Sequence, residues 1–548
     1  MPGAGGHANA LIHRASVLRT LPNLASFLAG HVAQLGSLPA HHAHLTQPYR
    51  RKSGLWECGL GREDATKSRI HAHEPRNTRE WVSAPSKMEP MAKPTPLSGF
   101  PEWLPAQRIV EQQILRIIQD TFELHGFAGI ETRAVEPMDQ LLRKGETSKE
   151  VYVLNRLQAT EEQDSSKDKQ LGLHFDLTVP FARYVLENAG HLAFPFKRYQ
   201  IQKVWRGERP QDGRFREFYQ ADIDVVDAGE LPFHYEVELP LVMAEAFAKL
   251  RPLGVPEFKV LVNNRKVAEG FYRGLGLDDV EGVLRNIDKL DKIGPAKVAT
   301  LLIDEVGASQ QQAQLCLDLA SISGSDETVI DRVRELAAAN NVSHELLDTG
   351  LDELGALLRS ASRRAPGTIE ANLKIARGLD YYTGSVYESV LIGHEDLGSI
   401  CSGGRYDTLA SDGKNTYPGV GLSIGVSRLV SRLLSKNIVT SNRSVPTAVL
   451  VAVMDEEHRE DAQAIAAQLR ARGISTDVAP VAAKFGKQIK FADRRGIPFV
   501  WFPAGVNQNG EQISHQVKDI RTGEQVEADP TVWTPQVEDL IPAVRAAE

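Results

Sequence analysis

The chain has few cysteines and no long apolar run. Its three cysteines, Cys58, Cys316 and Cys401, stand far apart without a CxxC pair. This spacing argues against a disulfide framework or a cysteine-based zinc site and favours a reducing cytoplasm. The densest apolar stretch, residues 449–454, has the length of a buried strand and falls far short of the roughly 18 residues that cross a bilayer. The sequence therefore excludes a membrane span.

The chain also lacks an excess of charge of either sign. It has 63 basic and 71 acidic residues among 548, a formal net charge of −8, so any nucleic-acid contact must depend on local basic patches. Hydrophobic residues make up 42% and charged residues 24%, which is the composition of an ordinary folded protein. At roughly 150 residues per domain, the length predicts three or four domains.

Residues 1–87 differ from the rest of the chain. They hold eight of the 16 histidines, no acidic residue before Glu57 and no sustained periodicity. We predict a disordered extension; a transit peptide and a metal site at the clustered histidines 41, 42 and 44 are the alternatives. A biological start at Met88 or Met91, with an over-extended reading frame upstream, is a further hypothesis. N-terminal sequencing of the native protein tests it, because upstream residues would contradict it.

Changes in hydrophobic periodicity divide the remaining sequence into a β-rich domain, a helical insertion within it and a final α/β domain. The predicted boundaries are residues 88–263 and 369–436 for the two parts of the β-rich domain, 264–368 for the insertion and 445–548 for the final domain, after a polar linker at 435–446. Within these segments we predict helices at residues 105–126, 457–472 and 484–494 and strands at residues 129–135, 448–453, 476–478 and 499–502.

The segment 196–226, FKRYQIQKVWRGERPQDGRFREFYQADIDVV, predicts a β-hairpin around a polar loop at residues 207–214. Period two on its second strand separates two faces: Arg216, Phe218, Gln220, Asp222 and Asp224 on one, and Tyr219, Ala221, Ile223 and Val225 on the other. A solvated outer face also explains the first set by pattern alone. The hairpin arginines favour function, because four of them are expected close enough together to grip a polyphosphate. They are Arg206, Arg209, Arg214 and Arg216.

Two further motifs are ARGLDYYTGSVYE from Ala376 and CSGGRYD from Cys401. We interpret the two glycines of the second motif, Gly403 and Gly404, as a tight turn. Since adjacent strand residues face opposite sides, one of Tyr381 and Tyr382 is expected to enter a pocket while the other packs in the core. Core packing of both is the alternative.

A third motif, GVGLSIGVSRLVSRLL from Gly419, predicts a glycine-rich strand, a turn and an amphipathic helix that carries Arg428. No GKS or GKT follows the glycines, so a P-loop ATPase is disfavoured.

Taken in order, these motifs resemble the catalytic domain of class II aminoacyl-tRNA synthetases, and most specifically the histidyl-tRNA synthetase family. GFPEWLP, FDLTVPFAR, WRGERPQDGRFREFYQ, ARGLDYYTG, SGGRYD and GVSRL follow the family's order and spacing over residues 95–548. The resemblance implies an α+β catalytic domain with an antiparallel sheet, a helical insertion and a C-terminal α/β anticodon-binding domain. It also implies a cytoplasmic homodimer that joins L-histidine to tRNA(His) through a histidyl-adenylate, with release of AMP and diphosphate.

The resemblance further implies roles for individual residues. For ATP, Arg206 contacts the α-phosphate or the amino acid carboxylate, Glu208 reads the adenine amino group, Phe218 and Arg428 cover the two adenine faces, and Arg214 belongs to the same set. Arg377 and Arg206 are the implied catalytic residues, with Arg377 on the α-phosphate where negative charge builds. Mg²⁺ bridges the phosphates, with Glu208 and Asp222 as undecided ligands, so no metal ligand is assigned to the protein.

For the amino acid, the resemblance implies that the ammonium group is held by Asp176, Thr178 and Gln220, while Asp224 and Tyr382 grip the two imidazole nitrogens. Tyr381 and Tyr406 line that pocket, and Arg206 and Arg377 complete the histidine set. Asp176 and Asp224 stand where many relatives have the longer Glu.

In the final domain, a basic stripe at one helix surface is a candidate for phosphate contact, with a solvated face as the alternative. The stripe is Lys484, Lys487, Lys490, Arg494 and Arg495.

Three other functions stay open. A regulatory subunit of ATP phosphoribosyltransferase shares the fold but lacks the anticodon-binding domain, and retention of residues 445–548 argues against it. A pseudo-synthetase RNA sensor of the kind fused to a kinase is disfavoured because no kinase signature occurs. A ligase for proline, threonine or glycine is disfavoured by Asp224 with Tyr382, because an imidazole needs two polar partners and a pyrrolidine needs none.

Overall fold

The structure, a computed structural model, describes residues 94–547 with gaps at 145–149, 156–169, 377, 379–380 and 507–509. The expectations for residues 1–87 and for Arg377 lie outside the described residues.

A nine-stranded sheet forms the centre of the larger domain. The strands of this domain and its boundary are, in chain order, β1 (Ala128–Gly129), β2 (Val135–Pro137), β3 (Val153–Leu154), β4 (Leu171–Leu173), β5 (Phe196–Trp205), β6 (Glu217–Val226), β7 (Phe258–Asn264), β8 (Ser323–Gly324), β9 (Ile369–Asn372), β10 (Tyr382–Leu391), β11 (Cys401–Tyr406), β12 (Gly419–Gly425) and β13 (Val439–Ser441). The sheet order is β1-β5-β6-β12-β11-β10-β7-β9-β8, and the six strands from β5 to β7 pair antiparallel. Parallel pairs occur at its flanks, β1 with β5 and β9 with β7.

Helices pack around this sheet and fill the insertion. They are α1 (Pro105–Leu124), α2 (Met138–Leu141), α3 (Thr178–Asn188), α4 (His234–Leu250), α5 (Arg265–Gly274), α6 (Val280–Ile287), α7 (Leu290–Ile293), α8 (Pro295–Val306), α9 (Gln310–Ala320), α10 (Thr328–Ala339), α11 (Glu345–Arg364) and α12 (Val426–Ser435). The predicted helix at residues 105–126 is α1, which begins with a proline whose fixed φ suits the first helical position. Its residues Val110, Ile114, Ile118 and Phe122 are fully buried at helical spacing in the same apolar cluster as β6.

Period two sorts the side chains of β6 as the sequence predicts. Ala221, Ile223 and Val225 are fully buried in the apolar core. The alternate residues Asp222 and Asp224 are also buried but line a polar pocket. This strand therefore separates the core from a candidate site.

Two predicted segments differ from the structure. The strand expected at residues 129–135 is interrupted, because its ends join different sheets: β1 pairs with β5, whereas β2 pairs with β4 in a small three-stranded sheet. The expected linker at residues 435–446 contains β13, which pairs with a strand close to the C-terminal end of the sequence.

The final domain has a mixed five-stranded sheet with order β15-β14-β16-β19-β20. Its elements are β14 (Val449–Val451), α13 (Arg459–Ala471), β15 (Thr476–Val478), α14 (Phe485–Arg495), β16 (Phe499–Phe502), β17 (Gly505–Val506), β18 (Gln512–Ile513), β19 (Gln516–Asp519), β20 (Gln525–Glu527) and β21 (Val544–Ala546). The alternation of strands and helices matches the prediction, with helix and strand ends moved by one or two residues. Trp501 is fully buried at the centre of this second core.

We predict that Ile223→Ala lowers the free energy of unfolding by about 3 kcal/mol, because a fully buried side chain leaves a cavity. Urea unfolding measures the change. Ile303→Ala in α8 is the matched control: its side chain is 39% exposed, so we expect a loss below about 1 kcal/mol. Equal losses in both variants would contradict the placement of Ile223 in the core.

Candidate active site

A pocket of about 120 Å³ lies on the polar face of β6, β11 and β12. Its lining includes Asp176, Thr178, Arg206, Gln220, Asp222, Asp224, Tyr381, Tyr382, Ser402, Tyr406 and Ser423. Every described residue predicted to contact the amino acid is in this lining. Arg377, the remaining member of that set, lies outside the described residues. The pocket is small, enclosed by strands and rich in hydrogen-bonding groups.

Asp224 is held from two sides within the pocket. The Tyr406 hydroxyl donates a hydrogen bond to its Oδ1 at 2.7 Å, and Nη2 of Arg198 lies 2.7 Å from its Oδ2. A Cβ atom at Gly421 would stand 2.0 Å from Asp224 Oδ1, so glycine on β12 makes room for the carboxylate. Hydrogen bonds, an ion pair and steric fit thus fix its position.

Asp222 and Gln220 share the same face of β6. Gln220 donates from Nε2 to the Ser423 hydroxyl at 2.8 Å. Burial raises the pKa of Asp222 to about 7, with the nearby Arg198 acting in the opposite direction and the Asp224 carboxylate adding to the rise. Near neutral pH both the protonated and the ionised form of this carboxyl are therefore populated.

Both neighbouring tyrosines line the pocket, which corrects the expectation that one of them packs in the core. The expectation fails because Tyr381 precedes β10, where strand alternation does not apply. A turn at Gly378, with φ +62°, brings the amides of Tyr381 and Tyr382 onto its carbonyl oxygen at 3.2 and 3.0 Å. Burial raises the pKa of Tyr382 well above its ordinary value, so its hydroxyl stays protonated and able to donate.

Gly403 and Gly404 are strand residues of β11 and do not form the expected tight turn. A Cβ atom at Gly403 would lie 2.0 Å from the carbonyl oxygen of Gly421 on the paired strand β12. At Gly404 the nearest atom would be the Ser385 carbonyl oxygen at 2.8 Å. These glycines therefore allow neighbouring strands to approach closely beneath the pocket. A pair of glycines in a single sequence fits this role as well as it fits a turn.

Asp176 and Thr178 come from the start of α3. Asp176 is 5% exposed, and its Oδ1 accepts a hydrogen bond from the Val179 amide at 3.1 Å, as a carboxylate at a helix N-terminus commonly does. The turn into the helix thereby points this side chain toward the strands that carry Gln220 and Asp224.

A larger cleft of about 530 Å³ adjoins the pocket and shares Arg206, Gln220, Ser402 and Ser423 with it. Its other walls include Glu208, Arg214, Phe218, Glu388 and Arg428. The Arg206 guanidinium lies 5.2 Å from the centroid of the Phe218 ring, and its Nε donates to the Phe175 carbonyl at 3.0 Å. Arg428 donates from Nη1 to the Ser399 carbonyl at 2.8 Å. The cleft thus combines arginines with two partly buried phenylalanine side chains, Phe215 and Phe218.

The four hairpin arginines do not converge. Arg206 and Arg214 line the cleft, whereas Arg209 and Arg216 are absent from its lining. Arg216 instead donates from Nε to the Glu208 carbonyl at 3.1 Å, because its backbone amide is tied to Gly99. Arg214 stands 3.6 Å from the Glu208 carboxylate.

Sequence reasoning missed several arginines that organise the site. Arg432 is buried on α12 and forms ion pairs with Asp396 at 2.9 Å and Asp212 at 3.1 Å, joining two walls of the cleft. Helical spacing places it one turn after Arg428, which is the only signal that the sequence offers.

A second group, whose role the sequence did not predict although the predicted turn was expected to present Arg405, holds the ends of β10 and β11. Arg405 pairs with the buried Glu236 of α4 at 2.8 Å and with Asp407 at 3.0 Å. Glu236 also accepts the Ser385 amide at 2.9 Å. These ion pairs and this hydrogen bond fix the strand ends that carry Tyr382 and Tyr406.

The final domain carries a separate cavity of about 670 Å³, here named the terminal cavity. It is lined by Phe485 and Ile489 of α14, by Phe502 and by the exposed Val506. Four residues of the basic stripe, at 484, 487, 490 and 494, are exposed on or beside the same helix. Arg495 departs from the expected stripe, because it is half-buried over Phe491 and lies 3.6 Å from Asp477.

Comparisons with known proteins extend over both domains. Residues 99–429 match the family model of histidyl-tRNA synthetase, and residues 448–531 match that of an anticodon binding domain. The Histidine–tRNA ligase of Micrococcus luteus is 61% identical over 84% of this chain and 100% of its own length. That of Cutibacterium acnes is 59% identical over 83% of this chain and 99% of its own. A crystal structure of histidyl-tRNA synthetase from Nostoc sp. PCC 7120 has a TM-score of 0.70 at 35% identity, covering 80% of this chain and 97% of that chain.

Within the described part of the chain, no helix has both the length and the apolar character that a membrane crossing requires.

We predict that Asp222→Asn stabilises the folded protein increasingly as pH rises from 5 to 8. The folded-state pKa of Asp222 is about 7 against an ordinary 3.8, so between these values the folded state keeps a proton that the unfolded state has released, and wild-type stability falls as pH rises through this window. The variant should gain on the order of 4 kcal/mol over wild type at pH 8 and on the order of 2 kcal/mol at pH 5, where only part of the unfolded-state ionisation counts against wild type. Urea unfolding at both pH values measures this, and a difference that does not vary with pH would contradict it.

Proposed function

The chain belongs to the histidyl-tRNA synthetase family, so its reaction is the ATP-dependent ligation of L-histidine to tRNA, and we propose that the pocket takes the histidine while the cleft takes the ATP. The predicted fold class and enzyme activity are confirmed by the family match and the relatives. They leave the three alternative functions without support. The observation that carries the site assignment is that Asp224 and Tyr382 line a pocket joined through Arg206 to an arginine-rich cleft.

The imidazole lies in our proposal between Asp224 and Tyr382. The Asp224 carboxylate accepts a hydrogen bond from the N–H of one ring nitrogen, and the protonated Tyr382 hydroxyl donates to the other, so the pair selects one neutral tautomer. An apolar side chain would offer neither group the hydrogen bond that an imidazole nitrogen provides, which disfavours it. Tyr406 supports this arrangement through its hydrogen bond to Asp224.

The ammonium group of the substrate lies, in the same proposal, against Asp176, Thr178 and Gln220. These residues come from α3 and β6 and line one side of the pocket. The carboxylate of the substrate then points toward Arg206, where the pocket meets the cleft. Positioning of the two reactants side by side supplies much of the rate enhancement in a transfer of this kind.

For ATP, we assign the adenine ring to Phe218 with Arg428 on the opposite face, and the phosphates to Arg206 and Arg214. An aromatic ring and a guanidinium both stack on a base, and guanidinium groups pair with phosphate oxygens. The Glu208 backbone and side chain form the adjoining edge of the cleft. Arg377 on the α-phosphate stays a prediction from the motif.

The first chemical step needs no protein nucleophile. The histidine carboxylate attacks the α-phosphorus of ATP, the α–β phosphoanhydride bond breaks, and diphosphate leaves with histidyl-adenylate formed. A ribose hydroxyl at the end of the tRNA then attacks the acyl carbon and releases AMP. Arg206 lines both cavities, and in this proposal it stabilises the negative charge that builds on the α-phosphate.

Mg²⁺ is part of the same proposal, because ATP-dependent enzymes commonly take the nucleotide with this ion. Pairing register sets Asp222, Ser423, Ser402 and Glu388 in one row across β6, β12, β11 and β10. Carboxylate and hydroxyl oxygens suit Mg²⁺, so Glu388 and Asp222 fit as holding residues directly or through water. Bound Mg²⁺ would neutralise charge on the phosphates.

The final domain contacts tRNA in our proposal through its basic stripe, with the terminal cavity beside it accepting an unstacked base. Exposed lysines attract phosphates, and aromatic side chains such as Phe485 stack on bases.

We also propose that the enzyme is a homodimer and acts in the cytoplasm; the homodimer rests on the family resemblance. The buried, unpaired state of Cys316 and Cys401 is compatible with a reducing compartment.

Exchange of labelled pyrophosphate into ATP tests the site assignment. We expect exchange with histidine alone among the twenty amino acids. Asp224→Asn should raise KM for histidine by at least about tenfold with little effect on KM for ATP, because it removes the charged acceptor. Phe218→Ala should raise KM for ATP by at least about tenfold with little effect on KM for histidine. Arg377→Ala should abolish most exchange.

The opposite pattern of KM values would reverse the two assignments, and exchange with another amino acid would overturn the roles of Asp224 and Tyr382.

Charge reversal on the basic stripe tests tRNA contact. We expect Lys487→Glu with Lys490→Glu to raise KM for tRNA by at least about tenfold in aminoacylation, since two phosphate contacts become repulsive. Pyrophosphate exchange should be unchanged. Lys436→Glu, an exposed residue just after α12, is the control and should leave both reactions unaltered. If the stripe variant has the same KM for tRNA as wild type, this surface does not contact tRNA.

A further inference from the structure

Arg198 is a fully buried cation directly behind the pocket. It lies on β5 opposite Asp224 on β6, and its Nη2 stands 2.7 Å from Asp224 Oδ2. It is absent from the pocket lining and so does not reach a bound substrate. None of the family motifs described above assigns it a role.

The surroundings of Arg198 give it few other partners. Its guanidinium lies 4.3 Å from the centroid of the Phe181 ring, and Nη2 is 3.4 Å from the Leu177 carbonyl oxygen. Among the described residues, its Nε and Nη1 have no hydrogen-bond partner. A buried guanidinium with so few hydrogen bonds is costly to desolvate, and the ion pair with Asp224 is its principal compensation.

The pocket collects carboxylates that need such a cation. Asp176, Asp222 and Asp224 all line a cavity of about 120 Å³ and are at most 5% exposed. Carboxylates that share so small and poorly solvated a cavity repel one another, which disfavours ionisation of all three. Arg206 faces them from the cleft side, and Arg198 is the cation on the β5 side.

Orientation is the second consequence of the pair. Asp224 has one fewer methylene than Glu, so its carboxylate cannot reach far and must present the correct lone pair to a ring N–H. Tyr406 holds Oδ1 and Arg198 holds Oδ2, which restricts rotation of the carboxylate about its final bond. Gly421 leaves just enough room for it.

We propose that Arg198 is a positioning residue that holds Asp224 charged and oriented, and so sets the affinity of the pocket for the imidazole of histidine. The inference rests on the proposed function, since it concerns the same pocket. It adds a residue that determines substrate specificity through another side chain and touches no substrate itself.

The test compares KM for histidine with KM for ATP in pyrophosphate exchange. Arg198→Met should raise KM for histidine at least about tenfold and leave KM for ATP within about twofold, because only the imidazole acceptor is disturbed. Arg198→Lys should restore most of the affinity, since it retains the charge. Arg183→Met is the matched control: this arginine is also buried, pairs with Glu136 at 2.8 Å and lies outside the pocket lining.

Arg183→Met should lower the melting temperature without separating the two KM values. If Arg198→Met does not fold, Arg198→Gln and Arg198→Lys carry the same comparison. The combination of Arg198→Met with Asp224→Asn should raise KM for histidine no further than Asp224→Asn alone, because both act on one carboxylate.

An unchanged KM for histidine in folded Arg198→Met, a parallel rise in both KM values or independent effects in the combined variant would each overturn the inference. Failure of the proposed function looks different. In that case Asp224→Asn itself leaves KM for histidine unchanged, whereas failure of this inference alone leaves the Asp224→Asn effect in place.

Discussion

The pairing of β6 between β5 and β12 is the constraint on which the pocket depends. Register sets Asp224 opposite Arg198 on one side and Gly421 on the other. A shift of one residue would turn the acidic side chains of β6 into the apolar core and carry Ile223 into the pocket. Core packing and the proposed substrate recognition are therefore two faces of a single strand, and the buried alternate residues secure the register that the pocket requires.

Local patterns in the sequence were sufficient for the elements that repeat with a regular period. The helix α1, the alternation of β6 and the strands Thr476–Val478 and Phe499–Phe502 are all found where periodicity predicts them. Periodicity failed where tertiary pairing decides the outcome. Gly403 and Gly404 lie within a strand because neighbouring backbones approach closely, and the segment after β1 leaves the ladder to join a different sheet.

The candidate site shows the same division. Motif residues such as Asp176, Gln220 and Tyr406 lie together in the pocket, although they are far apart in the chain. The charged residues behind them were not identifiable, because Arg198, Glu236 and Arg432 act through partners on other elements. An isolated arginine in a strand gives no sign of the carboxylate that it will meet. Conversely, four arginines close in sequence did not converge, since backbone contacts turn Arg216 away from the cleft.

The position of Arg206 on the boundary between pocket and cleft has a thermodynamic consequence. A guanidinium shared by two cavities cannot be ordered by one occupant without being ordered for the other. In the proposed arrangement the first substrate to arrive bears the conformational entropy that Arg206 still retains beyond its hydrogen bond to the Phe175 carbonyl, and the second finds the side chain already in place. Linkage then requires the effect to be reciprocal: the factor by which histidine tightens ATP binding equals the factor by which ATP tightens histidine binding. With the two substrates placed as proposed, histidine and ATP are coupled at equilibrium before any bond between them forms.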